Sequence, residues 1–329
     1  LLHHGAKTDI TIHGNSLVKY AMKNHLFDIA KLLIDFKVDT NIEINGSPLV
    51  LYALWDQKRC IAKSAILAGT DINAKDQLTN ESILKFALKQ KDPALVKLLI
   101  YNGADYRQAF GDALYNRDEQ SIKTLLASGA DMNKVYDDGL TTLTEAIEKG
   151  DKDSIELLIK YGVDTNVETK TGTPLSYLLA TDLSSYRKAA IAKILINNGA
   201  DTNQKNIKGQ TLIAIAAYKG DLTTLSILLT YGADLNQKDN NGWTPLMYAQ
   251  NQNNLSIVKT LLFKGAKLDT TDKINDWTAL MYAVKDNQSE IVETLIANGA
   301  DVEYASSVND LTAKDIAEKY QRDEILEIL

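Results

Sequence analysis

The sequence contains little cysteine and little proline. Cys60 is the single cysteine among 329 residues, which excludes a disulfide within the chain and a thiolate metal cluster. Such low cysteine use is typical of a reducing compartment, so we expect a cytoplasmic location. Cys60 follows Arg59, and we expect a partly exposed thiol there rather than a reactive one.

Long apolar runs and an excess of basic residues are also missing. No stretch approaches the ~20 consecutive apolar residues that a membrane-spanning helix needs, so we expect no membrane insertion. The net charge is −7, from 36 basic and 43 acidic residues. A chain without a basic half lacks the electrostatic attraction on which sequence-independent nucleic-acid binding depends. We therefore expect no nucleic-acid partner.

Motifs for chemistry are absent as well. The chain has no phosphate-binding glycine loop, no dinucleotide fingerprint, no His-Glu-x-x-His and no Gly-x-Ser-x-Gly. The four histidines, His3, His4, His13 and His25, all lie near the start, and adjacent side chains on a helix end point apart rather than toward one metal. Many carboxylates occupy turn positions, where capping explains them. We predict no catalysis, no metal and no cofactor.

What the chain does have is self-similarity. Gly242-Trp-Thr-Pro-Leu-Met-Tyr-Ala249 returns one unit later as Asp276-Trp-Thr-Ala-Leu-Met-Tyr-Ala283. A glycine, or Lys37 in its place, closes each Leu-Leu-x-x-Gly-Ala-Asp element, and the intervals between these markers stay near 33 residues with one short interval of 26. The markers are Gly5, Lys37, Gly69, Gly103, Gly129, Gly162, Gly199, Gly232, Gly265 and Gly299. Regularity of this kind predicts a repeat architecture.

Each unit carries helix start and stop signals. A hydroxyl before the first helical residue accepts a hydrogen bond from an unpaired amide, and proline tolerates the first helical position. Thr244-Pro245 and Thr173-Pro174 fit both rules, and the hydroxyl alone recurs at Thr141, Thr211 and Thr278. Ile257, Val258, Leu261 and Leu262 predict a second amphipathic helix, which Gly265 ends in a left-handed conformation.

This helix–turn–helix–hairpin unit resembles the ankyrin repeat. Thr-Pro-Leu-x-x-Ala, Ile-Val-x-x-Leu-Leu and Gly-Ala-Asp-x-Asn are the hallmarks, and they recur along the chain. The resemblance implies an all-α solenoid of about ten stacked repeats with projecting hairpin fingers. One departure stands out, since the usual histidine after Leu is replaced throughout, as by Met247, Met281, Ala214, Ser176 and Lys19.

We expect one ankyrin-repeat domain over residues 1–329, in which residues 1–7 are the remnant of a preceding repeat. The predicted units are 8–39, 40–71, 72–105, 106–131, 132–164, 165–201, 202–234, 235–267, 268–301 and 302–329. The last one is charged on one side and fits a capping repeat. The Asn-, Lys-, Ile- and Tyr-rich composition indicates an AT-rich, bacterial genome.

Two units depart in length. Residues 106–131 lack roughly seven residues of hairpin relative to the other units, which is either a functional notch where the curvature changes or harmless repeat decay. About four extra residues near 181–188 separate the two helices of one unit, and they are either a binding loop or a neutral insertion.

The resemblance implies that partners bind at hairpin tips and at exposed positions late in the first helix. The corresponding residues are Asp137, Asp138, Leu140, Glu148, Ile207, Lys208, Gln210, Tyr218, Asn240, Asn241, Trp243, Asn251, Asn275, Trp277 and Lys285. Trp243 and Trp277 are either exposed interface anchors or rings that pack on their own fingers. A second aromatic column, Tyr20, Tyr177, Tyr248 and Tyr282, fits the core better than a site.

The sequence thus predicts a protein-binding module that is monomeric and recognises an unidentified partner protein on a rigid concave surface. Two alternatives remain open. The chain is either the targeting part of a larger enzyme or secreted effector, or a structural spacer in an assembly.

Overall fold

The computed structural model describes residues 10–329. The predicted remnant at 1–7, with His3 and His4, lies outside the described residues. The chain divides into two compact units: unit 1 ends at Met132 and unit 2 begins at Asn133.

Unit 1 holds eight helices and two short hairpins among its described residues. The strands pair antiparallel as β1 with β2 and β3 with β4. The elements are β1 (Thr11–Ile12), β2 (Asn15–Ser16), α1 (Leu17–Lys23), α2 (Phe27–Asp35), β3 (Glu43–Ile44), β4 (Ser47–Pro48), α3 (Leu49–Trp55), α4 (Arg59–Leu67), α5 (Ile83–Lys89), α6 (Pro93–Tyr101), α7 (Arg107–Tyr115) and α8 (Glu119–Ala127).

Unit 2 holds twelve helices, which follow one another in pairs. They are α9 (Thr142–Glu148), α10 (Lys152–Lys160), α11 (Pro174–Ala180), α12 (Ser185–Asn197), α13 (Leu212–Tyr218), α14 (Leu222–Thr230), α15 (Pro245–Asn251), α16 (Leu255–Phe263), α17 (Ala279–Lys285), α18 (Ser289–Ala297), α19 (Ala313–Lys319) and α20 (Asp323–Leu326).

In both units each helix packs on its pair mate, and the pairs stack on the next pair along the chain. The apolar side chains between them form the core: Leu246, Ala249, Ile257, Val258 and Leu261 of the α15–α16 pair are all buried. The predicted all-α repeat solenoid is confirmed within each unit. The number of about ten repeats and their boundaries stay predictions.

The predicted helix starts are confirmed. Thr244 Oγ1 accepts a hydrogen bond from the Met247 amide, and Thr173, Thr211 and Thr278 cap their helices in the same way. Thr141 does so too. Because the helices that these threonines cap are seven residues long, too short to be stable alone, the caps and the stacking against neighbours stabilise them.

Asparagine side chains link successive repeats. Asn203 Oδ1 accepts a hydrogen bond of 2.7 Å from the Asp234 amide of the next repeat, while the Asp234 carboxylate accepts from the Asn236 amide. Asn236 then accepts from the Lys267 amide. In the equivalent bonds, a backbone amide donates to a side-chain oxygen of the preceding repeat. The donor and acceptor residues are Asp71 and Asn41, Asp105 and Asn73, Asp164 and Asn133, Asp201 and Asn166, and Asp301 and Asp269. We call this series the asparagine ladder.

The loop before each first helix of unit 2 forms a finger, as residues 203–210, 236–243 and 269–277 do. Neighbouring fingers are hydrogen-bonded to one another through their backbones. The Asn240 amide donates to Gly209 O at 3.1 Å, and the Lys273 amide donates to Asn241 O at 2.8 Å. The approach at Gly242 is close, because a Cβ there would lie 2.7 Å from the Lys273 nitrogen. Only glycine fits this position.

Both repeats of irregular length are visible in the structure. In unit 1, residues 102–106 alone join α6 to α7, without a hairpin. In unit 2, the extra residues near 181–188 lengthen α12 to 13 residues, while the link from α11 is residues 181–184. The insertion therefore extends the second helix rather than separating the two helices, because the Ser184 hydroxyl caps α12 at its start and no proline or glycine interrupts it afterwards.

Replacing a ladder asparagine should destabilise unit 2. We expect Asn203→Ala to cost about 1 kcal/mol, since the Asp234 amide loses its protein acceptor. Asn251→Ala, which removes an exposed asparagine outside the ladder, should stay within about 0.5 kcal/mol. Urea unfolding of both variants measures the difference, and equal midpoints would contradict a stabilising ladder.

Substitutions at Gly242 and Gly265 distinguish the cost of a left-handed backbone conformation from the cost of a steric overlap. Gly242 and Gly265 have φ of +87° and +89°, but no atom lies within 4 Å of a Cβ built on Gly265. We expect Gly265→Ala to cost about 1 kcal/mol for the left-handed conformation, and Gly242→Ala to cost a further 1–3 kcal/mol, roughly, for the steric overlap. Denaturation midpoints test this order, and a Gly265→Ala variant as unstable as Gly242→Ala would overturn it.

Candidate partner-binding surface

Five aromatic side chains of unit 2 form a continuous row, defined here as the aromatic row. Successive ring centroids lie 6.1 Å apart for Tyr218–Tyr248, 5.3 Å for Tyr248–Trp243, 5.0 Å for Trp243–Tyr282 and 5.2 Å for Tyr282–Trp277. Most of these contacts are edge to face, a geometry that aromatic pairs prefer. The row joins three successive repeats.

The repeat itself builds this row. Trp243 stands just before the Thr244 cap, and Tyr248 follows within α15. Trp277 and Tyr282 hold the same places relative to Thr278 and α17. A residue before the cap can therefore reach the tyrosine of its own helix and the tyrosine of the next repeat, which is how Trp243 contacts both Tyr248 and Tyr282.

Exposure differs along the row. Tyr218 is 47% exposed, while Tyr282 is 7% exposed and Trp277 only 6%. Trp243 and Tyr248 are half-buried. The expectation of an exposed anchor is thus wrong for Trp277, because its ring packs against Tyr282, and the alternative that it packs on its own repeat describes it. A binding role for Trp243 stays a prediction.

Polar side chains fix the tyrosine hydroxyls. The Tyr248 hydroxyl donates to Asp239 Oδ2 at 2.8 Å and lies 3.3 Å from Gln210 Nε2, which donates to it. Burial raises the pKa of Tyr248 to about 12, and the neighbouring Asp239 carboxylate acts in the same direction. In the next repeat, Asn275 Nδ2 donates to the Tyr282 hydroxyl at 3.1 Å.

Several predicted binding residues therefore meet in one place. Gln210, Tyr218 and Trp243 surround Tyr248, and Asn275 and Trp277 surround Tyr282. The sequence analysis assigned Tyr248 to the core, yet its side chain contacts Gln210, Tyr218 and Trp243. The constant interval between each tryptophan and the tyrosine after it was the signal that could have placed Tyr248 in the predicted site.

The remaining predicted residues lie apart from the row. Ile207, Lys208, Asn240 and Asn241 are exposed at the tips of their fingers, as are Asp137 and Asp138, while Leu140 is half-buried. Asn251 is exposed and Lys285 half-buried at the ends of α15 and α17. The backbones of Asn240 and Asn241 also form the hydrogen bonds between fingers, so these two positions contribute to the fold as well.

Glu148 belongs to a second, smaller feature. Together with Tyr177, Thr181, Asp182 and Leu183 it lines an open cavity beside the start of α12. Burial raises the pKa of Tyr177, and the Glu148 carboxylate raises it further. The link between α11 and α12 thus forms one wall of a groove that carries two carboxylates, those of Glu148 and Asp182.

Features relevant to chemistry are sparse. In the part of the chain that the structure describes, no three His, Cys, Asp or Glu side chains are grouped so that they could hold a metal ion. Cys60 is exposed. Among residues 10–329 no helix combines the length and the apolar character that crossing a membrane requires.

Alkaline pH should weaken the Tyr248 contacts. Folding raises the pKa of Tyr248 from its ordinary value of 10.0 to about 12. The protonated hydroxyl therefore contributes fully to the free energy of unfolding below pH 10.0, and this contribution is lost as pH rises through about 12. At neutral pH, Tyr248→Phe should cost about 1 kcal/mol for the lost hydrogen bonds. The difference in free energy of unfolding between wild type and Tyr248→Phe should become smaller between pH 9 and pH 11.5.

Urea unfolding at the two pH values provides the measurement. Tyr101→Phe serves as the control at neutral pH, because Tyr101 is 86% exposed and its loss of a hydroxyl should leave stability unchanged. A gap that stays constant or widens at pH 11.5 would contradict the assignment.

Comparison with known proteins agrees with the repeat architecture. A family model described as ankyrin repeats in three copies matches residues 110–185, 180–272 and 250–329, which is more than half of the chain. An ankyrin repeat protein from the bacterium Rickettsia felis is 37% identical over 68 residues. The matched segment is 20% of this chain and spans 30% of the length of that relative. The stacked helix pairs and the family match together show that the chain belongs to the ankyrin repeat family.

Proposed function

We propose that the chain is a protein-binding module whose partner docks on the aromatic row and the adjoining fingers of unit 2. Ankyrin repeats are generally protein-interaction modules, and the row supplies the residue types that most often anchor interfaces. The observation that carries the proposal is the contact of half-exposed Tyr218 and half-buried Trp243 with Tyr248, in a row that continues into the core at Trp277.

Rigidity supports this assignment. The rings of Trp243 and Tyr248 are held by packing and by the Asp239 hydrogen bond, and the fingers are tied by backbone bonds. Surface side chains that are already ordered lose less conformational entropy when a partner binds. The mechanism is recognition by a prearranged surface, and we assign no reaction to it. Cytoplasmic location and a monomeric state accompany the proposal as predictions.

Capture of partners by the full chain tests the proposal. The bait is incubated with lysate of the source organism, and bound proteins are quantified for wild type and for Tyr218→Ala/Trp243→Ala. Trp277 is left intact, because removing a buried ring would destabilise the fold. We expect the double variant to lose at least tenfold of a specifically captured partner, as removal of two anchor side chains predicts.

A matched control removes two aromatic side chains outside the row. Tyr186 and Phe263 are 81% and 87% exposed on second helices of unit 2, so Tyr186→Ala/Phe263→Ala should retain full capture. Circular dichroism confirms that both variants fold. If the control variant loses the partner while Tyr218→Ala/Trp243→Ala retains it, the second-helix face binds and the proposed surface is wrong. A clean monomer that captures nothing would instead favour the spacer role.

A further inference from the structure

The acidic and basic side chains of three consecutive fingers in unit 2 differ in how the fold engages them. These fingers comprise residues 203–210, 236–243 and 269–277, which follow one another in the stack. Their acidic and basic residues are balanced in number, so the sequence suggests a neutral surface. The structure distinguishes the two signs, because each carboxylate accepts hydrogen bonds from backbone amides or hydroxyl groups, whereas the lysines are exposed and donate only to neutral oxygens.

Two of the carboxylates are buried and accept hydrogen bonds within their own fingers. Asp239 is 3% exposed and Asp272 2% exposed. Asp239 accepts from the Asn241 and Trp243 amides, and Asp272 accepts from the amides of Ile274, Asn275 and Trp277. Each carboxylate therefore has its charge stabilised by backbone dipoles inside its own finger.

Two further carboxylates of this region are also engaged. Asp276 accepts from the Ser307 hydroxyl at 2.6 Å and from the Tyr304 hydroxyl at 2.7 Å. Hydrogen bonds from Ser307, Thr271 and Tyr304 hold the pKa of Asp276 well below the ordinary value. Asp269 accepts the ladder bond from the Asp301 amide. Neither one neutralises a lysine of the fingers.

The lysines of these fingers are not engaged by carboxylates. Lys205, Lys208, Lys238 and Lys273 are exposed. Lys205 Nζ donates to Asn240 Oδ1 at 3.2 Å, and Lys273 Nζ donates to Asn240 O at 3.0 Å. Two ammonium groups, from the fingers on either side, thus converge on a neutral asparagine. Lys238 Nζ donates to the Thr271 carbonyl, which is neutral as well.

Exposed apolar side chains lie on the same fingers as these cations. Ile207 is 66% exposed and Ile274 64% exposed at the tips of their fingers, and Trp243 belongs to the finger that separates them. Because backbone bonds join the three fingers, the backbone positions that carry the cations and the apolar side chains are fixed relative to one another. A ligand complementary to this surface has negative charges next to aliphatic side chains.

We propose that these three fingers bind an acidic, extended segment of the partner protein, with a carboxylate seated between Lys205 and Lys273 and aliphatic side chains against Ile207 and Ile274. This inference rests on the proposed function and adds the chemistry of the partner. A carboxylate at Asn240 replaces water around two ammonium groups with charge-assisted hydrogen bonds. Electrostatic complementarity of this kind sets specificity and speeds association.

A protein segment fits this surface better than a nucleic acid. The chain carries a net charge of −7, so a long polyanion is repelled outside the fingers. Exposed Asp201 and Asp234 lie where two of the fingers begin. The exposed isoleucines, furthermore, match leucine or isoleucine side chains rather than a sugar-phosphate backbone.

Fluorescence anisotropy with synthetic peptides tests the inference on the full chain. The probe is a labelled 16-residue peptide built from Glu, Asp, Leu and Ile, and the comparison peptides replace its acidic residues by Gln and Asn or by Lys. We expect the acidic peptide to bind at least tenfold more tightly than the neutral one, with an affinity that falls as NaCl is raised from 50 to 300 mM. The Lys peptide should not bind.

Lysine variants locate the site. Lys205→Ala/Lys273→Ala should weaken binding of the acidic peptide at least tenfold, whereas Lys193→Ala/Lys259→Ala, which removes two exposed lysines of α12 and α16, should leave it unchanged. Equal affinity for acidic and neutral peptides, an unaffected Lys205→Ala/Lys273→Ala variant, or tighter binding of a 20-base-pair DNA duplex through these lysines would each overturn the inference.

Partner capture separates this inference from the proposed function. Lys205→Glu/Lys273→Glu reverses the charge on the fingers and leaves the aromatic row intact, and we expect it to abolish capture. If capture survives this variant but is lost with Tyr218→Ala/Trp243→Ala, the aromatic row binds a partner that is not acidic. The proposed function then stands and the inference about its chemistry fails.

Discussion

The asparagine ladder is the interaction on which the arrangement of repeats depends. Each rung joins a side-chain oxygen of one repeat to a backbone amide of the next, as Asn203 does with Asp234. A single hydrogen bond of this type contributes only about 1 kcal/mol, but it fixes where one finger begins relative to its neighbour. Stacking of the helices buries the apolar side chains, and the ladder sets the register in which they stack. Finger-to-finger bonds and the aromatic row both require that register.

The sequence predicted the fold well, because the signals that specify it are local and repeated. The caps at Thr244 and Thr278 and the glycine at Gly265 each act within a few residues of chain, so spacing alone identified them. The four extra residues near 181–188 were harder to place. A helix accepts them as one more turn when no breaker follows the Ser184 cap, and residue counting cannot distinguish a longer helix from a longer loop.

The candidate site was predicted only in part, for a physical reason. Its members were found individually from their positions in the repeat, but their burial depends on contacts between repeats. Trp277 and Trp243 occupy equivalent positions, and yet the first is buried and the second is half-buried. The burial of the finger charges was likewise beyond the sequence. Asp239 and Lys238 are adjacent in the chain, and only the structure shows that the first is buried and the second exposed.

The link of residues 102–106 has a consequence for cooperativity. Repeat stacks unfold as chains of neighbours, in which each interface contributes its own coupling free energy. The α7–α8 pair retains a ladder bond, from Asp105 to Asn73, but no hairpin lies between α6 and α7 to add contacts from a finger. The coupling across this interface of unit 1 therefore consists of the helix packing, the ladder bond and the Lys85–Asp112 ion pair, without a contribution from a finger. Under partial denaturation, we expect the unfolding of one group of repeats to stop here before it spreads to the next.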